Sequence, residues 1–345
     1  MLVGIHINHK KSLTPFSKGY IDILEYNNID FEIMDIQDDQ FWEKFERLDA
    51  FIFQVGHTSD MLQIADSFMP IIYNYINIPV FPNFNTLWHF DNKIKQHYLA
   101  NYFNLKFVDS KVFWDKKLAI NWIKETNFPL VMKLRGGAGS TNVTILRNPN
   151  QARHLINKAF SEGIKDSSFP GTWKVKYFPI KKYIHNRMIW AKRKLLREDT
   201  SSYWMISKNY VYYQKYLPNN NFDTRVTVIG DRAFAFRRFN RTRDFRASGS
   251  GKIDYDMDSI DKRMIKIALE TSEECGFQCM AYDFLYDEEK PVICEISYTY
   301  ADHAVYKCPG YWDKTLIWHS GHYMPQYFIL KDLLNVNLVH PNNQY

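Results

Sequence analysis

The chain opens with two hydrophobic periods in alternation. Residues 2–7 form a compact apolar run and predict a strand, and residues 16–27 place Phe16, Tyr20, Ile23 and Leu24 at helical spacing. Residues 31–35 and 50–54 predict further strands, residues 70–75 close another helix, and Val80-Phe81-Pro82 predicts a short strand. This strand–helix alternation predicts a small parallel sheet, because parallel strands need crossover connections. Such sheets bind ligands at the carboxyl ends of their strands. Asn8, His9, Gln54, His57 and Thr58 fall there. Loop residues without a ligand are the equal alternative.

From Trp88 the pattern changes. Asp91 is positioned as the N-cap of a helix running to Tyr102, with Lys93 in its first turn. A cation there opposes the helix dipole and is relieved by a nearby anion; a solvated lysine is the alternative. Residues 114–125 predict a second helix. Then FPLVMKLRGGAGSTNV, residues 128–143, carries a buried strand entered through Pro129 and ending at Lys133. Gly136, Gly137, Ala138, Gly139 and Ser140 follow, and residues 141–146 predict the returning strand. Glycines allow close backbone approach, and their N–H groups can line an anion cradle. A cation before such a loop suits a triphosphate; an ordinary glycine-rich turn is the alternative. A Walker A loop has its lysine after the glycines, and a dinucleotide fingerprint opens a helix, so neither applies. Residues 151–163 predict another helix.

Residues 211–217 predict a strand, followed by strands at 226–229 and 233–236 around the turn Gly230-Asp231. A two-residue turn places Arg225 and Arg238 on one face. Arg241, Arg243 and Arg246 follow among small residues, a composition suited to clamping phosphate or to an exposed basic hairpin. After a helix at 259–275, CMAYDFLYDEEKPVICEIS predicts a hairpin. Asp283 and Glu295 are symmetric about Glu289, so an odd-length loop sets them opposite each other on one face, with Ser297 beside them. Opposed carboxylates repel unless a cation lies between them, and hard oxygen donors suit Mg2+. A protonated or arginine-paired dyad is the alternative. The aromatic segment after Tyr300 ends in a predicted helix. His319 and His322 have metal-like spacing without a carboxylate close in sequence, which favours packing and surface roles.

Composition narrows the class. With 46% hydrophobic and 24% charged residues over 345 positions, the chain is that of a globular protein of two or three domains. A net charge of +6 fits anionic ligands without singling out nucleic acid. Residues 171–197 are rich in lysine, arginine and aromatics, compatible with an anionic-polymer surface or a solvated insert. No apolar run approaches the roughly 18 residues of a membrane span. The N-terminal MLVGIHINHKK reads as a strand rather than a secretory signal. Cys275, Cys279, Cys294 and Cys308 form no CxxC pair, so buried free thiols, a reducing compartment and a cytoplasmic location are expected.

The segments DNK at 91, LVMKLRGGAGS at 130, DTRVTVIGD at 223, DFRAS at 244, AYDF at 281 and ICEIS at 293 occur in an order that resembles the ATP-grasp superfamily. The likeness is greatest to its branch of ribosomal-protein glutamate ligases and related amino-acid ligases. The resemblance covers residues 88–299. It implies α/β and α+β architecture: a small parallel α/β domain over 1–88, then an ATP-grasp fold with subdomains over 89–212 and 213–345. Lys93, Lys133 and the loop with Gly136, Gly137, Gly139 and Ser140 would contact the phosphates of ATP. Gln214, Lys215, Tyr216 and Leu217 would lie beside adenine. Arg225, Arg238 and Arg246 would stabilise the transferred phosphoryl group. Asp283, Glu295 and Ser297 would hold Mg2+, or Mn2+ in its place. The implied activity is an ATP-dependent carboxylate–amine ligase that releases ADP and phosphate through an acylphosphate. Its expected partners are ATP and small carboxylate and amine substrates, with a sugar acid or sugar-linked substrate among the options. No nucleic acid is expected, and an oligomer is compatible. Ser297 and Ser248 stand where the family usually has asparagine, and the hinge shows Lys215, near where the family often has an acidic ribose partner. These departures leave the number of metal ions open and keep a second reading, a non-catalytic ATP-binding protein of cell-surface or spore-coat assembly.

Overall fold

A computed structural model of the chain describes residues 1–137, 142–165, 188, 191–192, 195–196, 206–240 and 251–341. The first part runs β1 (Leu2–His6), α1 (Pro15–Tyr26), β2 (Asp30–Met34), α2 (Phe41–Phe45), β3 (Ala50–Ile52), α3 (Ser59–Tyr75), β4 (Val80–Phe81) and α4 (Phe84–Leu87). Its strands form the expected parallel sheet, in the order β2-β1-β3-β4. Val3, Ile5, Phe51 and Ile52 are buried in it. α1 starts where it does because the Thr14 side chain accepts the Ser17 N–H and Pro15 occupies the first turn. It buries Phe16, Tyr20, Ile23 and Leu24, the face its spacing predicts.

Next come α5 (Lys93–Tyr102), β5 (Ser110–Phe113), α6 (Lys116–Glu125), β6 (Leu130–Lys133), β7 (Val143–Leu146), α7 (Pro149–Ala159), β8 (Ile164–Lys165), β9 (Ile206–Ser207) and β10 (Val211–Lys215). β5-β10-β6-β7 make an antiparallel sheet. It has its own core, in which Ala119, Ile123, Ile156 and Tyr213 meet. The strand predicted over 211–217 stops at Lys215, so β10 carries this sheet past position 212.

The remainder runs β11 (Phe222–Ile229), β12 (Arg232–Phe239), β13 (Ile253–Asp254), α8 (Lys262–Cys275), β14 (Cys279–Asp287), β15 (Lys290–Ser297), α9 (Asp302–Tyr306), β16 (Gly310–Asp313), β17 (Trp318–Ser320) and α10 (Pro325–Leu334). A seven-stranded antiparallel sheet orders them β15-β14-β11-β12-β16-β17, with β13 on β12. α8 ends at Gly276, whose φ of 67° suits a left-handed cap. This sheet shares one core with the parallel sheet. The Gln278 amide stitches the two together, donating to the Val80 carbonyl at 3.0 Å and accepting from the Asn83 N–H at 2.7 Å.

Two predicted details change. The β14–β15 loop is the two-residue turn Glu288-Glu289, not an odd-length loop, and a bulge between Asp283 and Phe284 restores the Asp283–Glu295 pairing. His319 has a carboxylate after all: Asp313, across the β16–β17 turn, lies 2.7 Å from its Nε2. His322 Nδ1 instead faces the Tyr306 carbonyl at 3.0 Å. The cysteines are free, with Cys275, Cys279 and Cys308 buried. Among the described residues no helix is long and apolar enough to cross a membrane.

Candidate active site

A cleft of about 640 Å3 runs between the four-stranded and seven-stranded sheets and reaches the carboxyl ends of the parallel strands. Val131, Lys133 and Val143 line one wall, and Leu285, Cys294, Glu295 and Ile296 line the other. Lys215, Tyr216 and Leu217 close one end with the buried Gln214, while Thr14, Gln54, His57 and Tyr300 lie toward the other.

Both lysines meet β15. Lys133, the last residue of β6, is buried, and its Nζ lies 3.4 Å from Cys294 Sγ and 3.5 Å from the Cys294 carbonyl. Burial works against its ammonium, but the Cys294 sulfur, Glu295 and Tyr212 outweigh that and raise its pKa, so the charge persists at neutral pH. Burial pushes the Cys294 thiol up, and the Lys133 ammonium opposes that shift. Lys93 opens α5 with only 5% of its side chain exposed; its Nζ lies 3.0 Å from Glu295 Oε1 and donates to the Gly137 carbonyl at 3.2 Å.

Asp91 does not cap α5 as predicted. Asn92 does, accepting the Ile94 and Lys95 N–H groups, because Asp91 turns into the left-handed region at φ 47°. That turn frees its carboxylate to accept the Gly137 N–H at 3.0 Å. Gly137 sits at φ 126°, a conformation that favours glycine. The start of α5 therefore holds the stem of the glycine loop from two sides. Gly136 is also tied, its carbonyl accepting from the Asn142 amide at 2.9 Å. Gly139, Ser140, Arg246, Ser248 and the basic stretch over 171–197 lie outside the described residues, apart from Met188, Ala191, Lys192, Leu195 and Leu196, which are exposed.

Asp283 and Glu295 stand directly opposite each other. Arg225 grips Asp283 with two bonds, Nε to Oδ1 at 2.7 Å and Nη2 to Oδ2 at 2.9 Å. Arg238 reaches the same carboxylate at 2.8 Å and holds Asp223 through two bonds of 2.7 Å. Burial would raise the Asp283 pKa, but the two guanidiniums hold it well below the ordinary carboxylate range. The arginines share a face as predicted, yet they differ in setting. Arg225 lines the cleft, whereas Arg238 is buried behind it. Lys215 points away from Gln214 and pairs with Asp287 at 2.7 Å.

The arginine-paired alternative is the arrangement present: guanidiniums take both Asp283 oxygens and Lys93 takes Glu295 Oε1, so a hard cation would use the remaining lone pairs of these carboxylates. Glu295 keeps 31% of its side chain exposed toward the cleft, and Asp283 faces it. Ser297, two residues on, donates its hydroxyl to the Thr299 carbonyl at 2.8 Å and accepts the Thr299 N–H at 3.3 Å, which leaves one oxygen lone pair for a ligand. No group of three or more His, Cys, Asp or Glu residues among the described ones forms a metal cluster. A divalent ion here would complete its shell with phosphate oxygens, which is how Mg2+ is commonly bound.

Sequence reasoning missed Asp223, Asp287 and the loop-holding role of Asp91. Asp223 was legible in principle, two residues before Arg225 and thus on its strand face. The other two depend on tertiary contacts.

No protein-family model and no curated protein matches the sequence. Solved structures do match the fold. An ATP-grasp protein with a RimK domain from Sphaerobacter thermophilus aligns over 97% of this chain and 100% of its own, at 11% identity and a TM-score of 0.56. D-alanine–D-alanine ligase from Bacillus anthracis aligns over 86% of each chain, at 12% identity and 0.51. The biotin carboxylase domain of a 2-oxoglutarate carboxylase from Hydrogenobacter thermophilus, solved with MgADP, covers 98% of this chain and 70% of its own, at 10% identity and 0.56. The protein has the ATP-grasp fold.

Proposed function

We propose that the protein is an ATP-dependent carboxylate–amine ligase working through an acylphosphate. One observation carries the reading. Lys93 and Lys133, from different elements, converge on adjacent residues of β15, one of them the cleft-facing Glu295. The fold supports it, and one structural neighbour is a D-alanine–D-alanine ligase.

ATP lies with its phosphates at Lys93, Lys133 and the glycine loop, and its base beside Gln214–Leu217. Glu295 and Asp283, with Ser297 beside them, would hold Mg2+, which would supply charge neutralisation to the phosphates. Arg225 sits where it can turn from Asp283 toward the transferring phosphoryl group. A substrate carboxylate attacks the γ-phosphorus, ADP leaves, and an amine displaces phosphate from the acyl carbon. The protein's part is orientation and charge placement, with no covalent enzyme nucleophile. The substrates are a small carboxylate, including a sugar acid or amino acid, and an amine. We place the division between the two ATP-grasp subdomains after β10, and the reaction in the cytoplasm, where ATP is.

Incubation with MgATP and pooled carboxylates and amines, followed by phosphorus NMR, tests this. ADP and phosphate should appear only with both pools. AMP and pyrophosphate would contradict the mechanism, and nucleotide binding without turnover on any pool would favour the non-catalytic reading.

A further inference from the structure

His57 stands in the loop between β3 and α3, lining the cleft with 40% of its side chain exposed. Its ring rests against Phe90 at 4.8 Å. Nδ1 lies 3.6 Å from Asp91 Oδ2, and Nε2 lies 3.1 Å from Thr299 Oγ1. The Asp91 side chain is 5% exposed, and its other oxygen holds the Gly137 N–H. One buried carboxylate therefore touches both the stem of the glycine loop and an imidazole in the substrate cleft.

Of the cations of the described cleft wall, Arg225 and Lys215 are matched to carboxylates, Asp283 and Asp287, and Lys133 stays charged against Cys294, so none of the three accepts a proton. Proton acceptance near neutral pH falls to histidine. His303 also lines the cleft, but its side chain is 63% exposed and its Nδ1 is 3.9 Å from Asp302. His57 has the nearer and more buried carboxylate. A carboxylate facing Nδ1 favours the Nδ1–H tautomer and leaves the Nε2 lone pair for a substrate. The 3.6 Å separation exceeds a hydrogen bond, and catalytic contacts of this kind commonly tighten when substrate is bound.

We infer that His57 is the base that takes the proton of the attacking amine, and that Asp91 is a positioning residue that couples this base to the glycine loop. The inference rests on the ligase reading. In the step, the amine nitrogen gives its electron pair to the acyl carbon and its proton passes to His57 Nε2. The bond from the acyl carbon to the phosphate oxygen breaks, and phosphate leaves with that pair. Thr299 holds Nε2 until the amine takes its place.

The test compares wild type with His57→Gln, using MgATP and pooled carboxylates with either pooled amines or hydroxylamine. Hydroxylamine is neutral at neutral pH and needs no base to attack an acylphosphate. Amide formation should fall at least about 100-fold in the variant, within the range for lost general base catalysis. Hydroxamate formation should stay within about twofold, since the phosphoryl transfer is intact. Equal loss of both products, or loss of neither, overturns the assignment. Nitrogen NMR of the imidazole provides a readout independent of turnover. Wild type should show the Nδ1–H tautomer and Asp91→Asn should lose it; an Nε2–H ring in wild type refutes the pair. Failure of the ligase reading itself would show as no ADP from wild type, and the tautomer would still decide the His57–Asp91 pairing.

Discussion

Lys93 Nζ and Glu295 Oε1 lie 3.0 Å apart, joining the first residue of α5 to the third residue from the end of β15. The lysine is almost wholly buried, while the carboxylate keeps a face on the cleft. The pair marks where phosphate charge and carboxylate charge would be balanced. Glu295→Gln keeps the shape and removes the charge. Ligation should fall by at least about 100-fold, the scale of losing one electrostatic contact to a transition state. Steady-state ADP release measures it, and an unaffected rate removes Glu295 from the site.

Lys133 should act on binding. Its raised pKa keeps it charged across the neutral range, so its contribution should not vary between pH 6 and 9. Lys133→Ala should weaken affinity for a non-hydrolysable ATP analogue at least about tenfold, equivalent to about 1.4 kcal/mol. Titration calorimetry reads this directly, and an unchanged Kd would place the nucleotide elsewhere.

The two arginines should separate in their effects. Arg238 is buried between Asp223 and Asp283, and removing one partner from a buried ionic group costs about 3–5 kcal/mol. Arg238→Gln should therefore lower the thermal midpoint sharply. Arg225→Gln leaves Asp283 its bond to Arg238, so it should spare the fold and reduce turnover. Thermal scans and ADP assays on both variants decide this. The reverse pattern would assign Arg238 to the chemistry.

Acid should destabilise the fold through two histidines outside the cleft. Burial lowers His6 to about 4 and His89 to about 3. The unfolded chain binds these protons near pH 6.5, so falling pH favours unfolding. The stability from keeping the rings neutral is complete above about 6.5 and is lost as pH drops through the folded values. For His6 this is on the order of 3 kcal/mol. His6→Leu should flatten the decline in urea midpoint between pH 7 and about pH 4. An unchanged slope would mean that His6 is protonated in the fold.

Much of this site was legible before the structure. Lys133 at a strand end, Arg225 and Arg238 across a two-residue turn, and Asp283 opposite Glu295 follow from period-two alternation and turn length. The last of these held for a different reason than predicted: the loop is one residue shorter than assumed, and the bulge absorbs the extra residue. Neither the left-handed turn at Asp91 nor its bond to Gly137 leaves a mark on local pattern, because both depend on how α5 meets β6. The Asp313–His319 pair was missed because it forms across a hairpin that the segment's aromatic content obscured.

The most direct test of the ligase account follows one oxygen atom. Carboxylates in the pool are labelled with oxygen-18, turned over with MgATP and the amine pool, and the released phosphate is read by phosphorus NMR. An acylphosphate must carry one carboxylate oxygen into that phosphate, so a shifted phosphate signal is predicted. Unlabelled phosphate, or label appearing in AMP, would contradict the account.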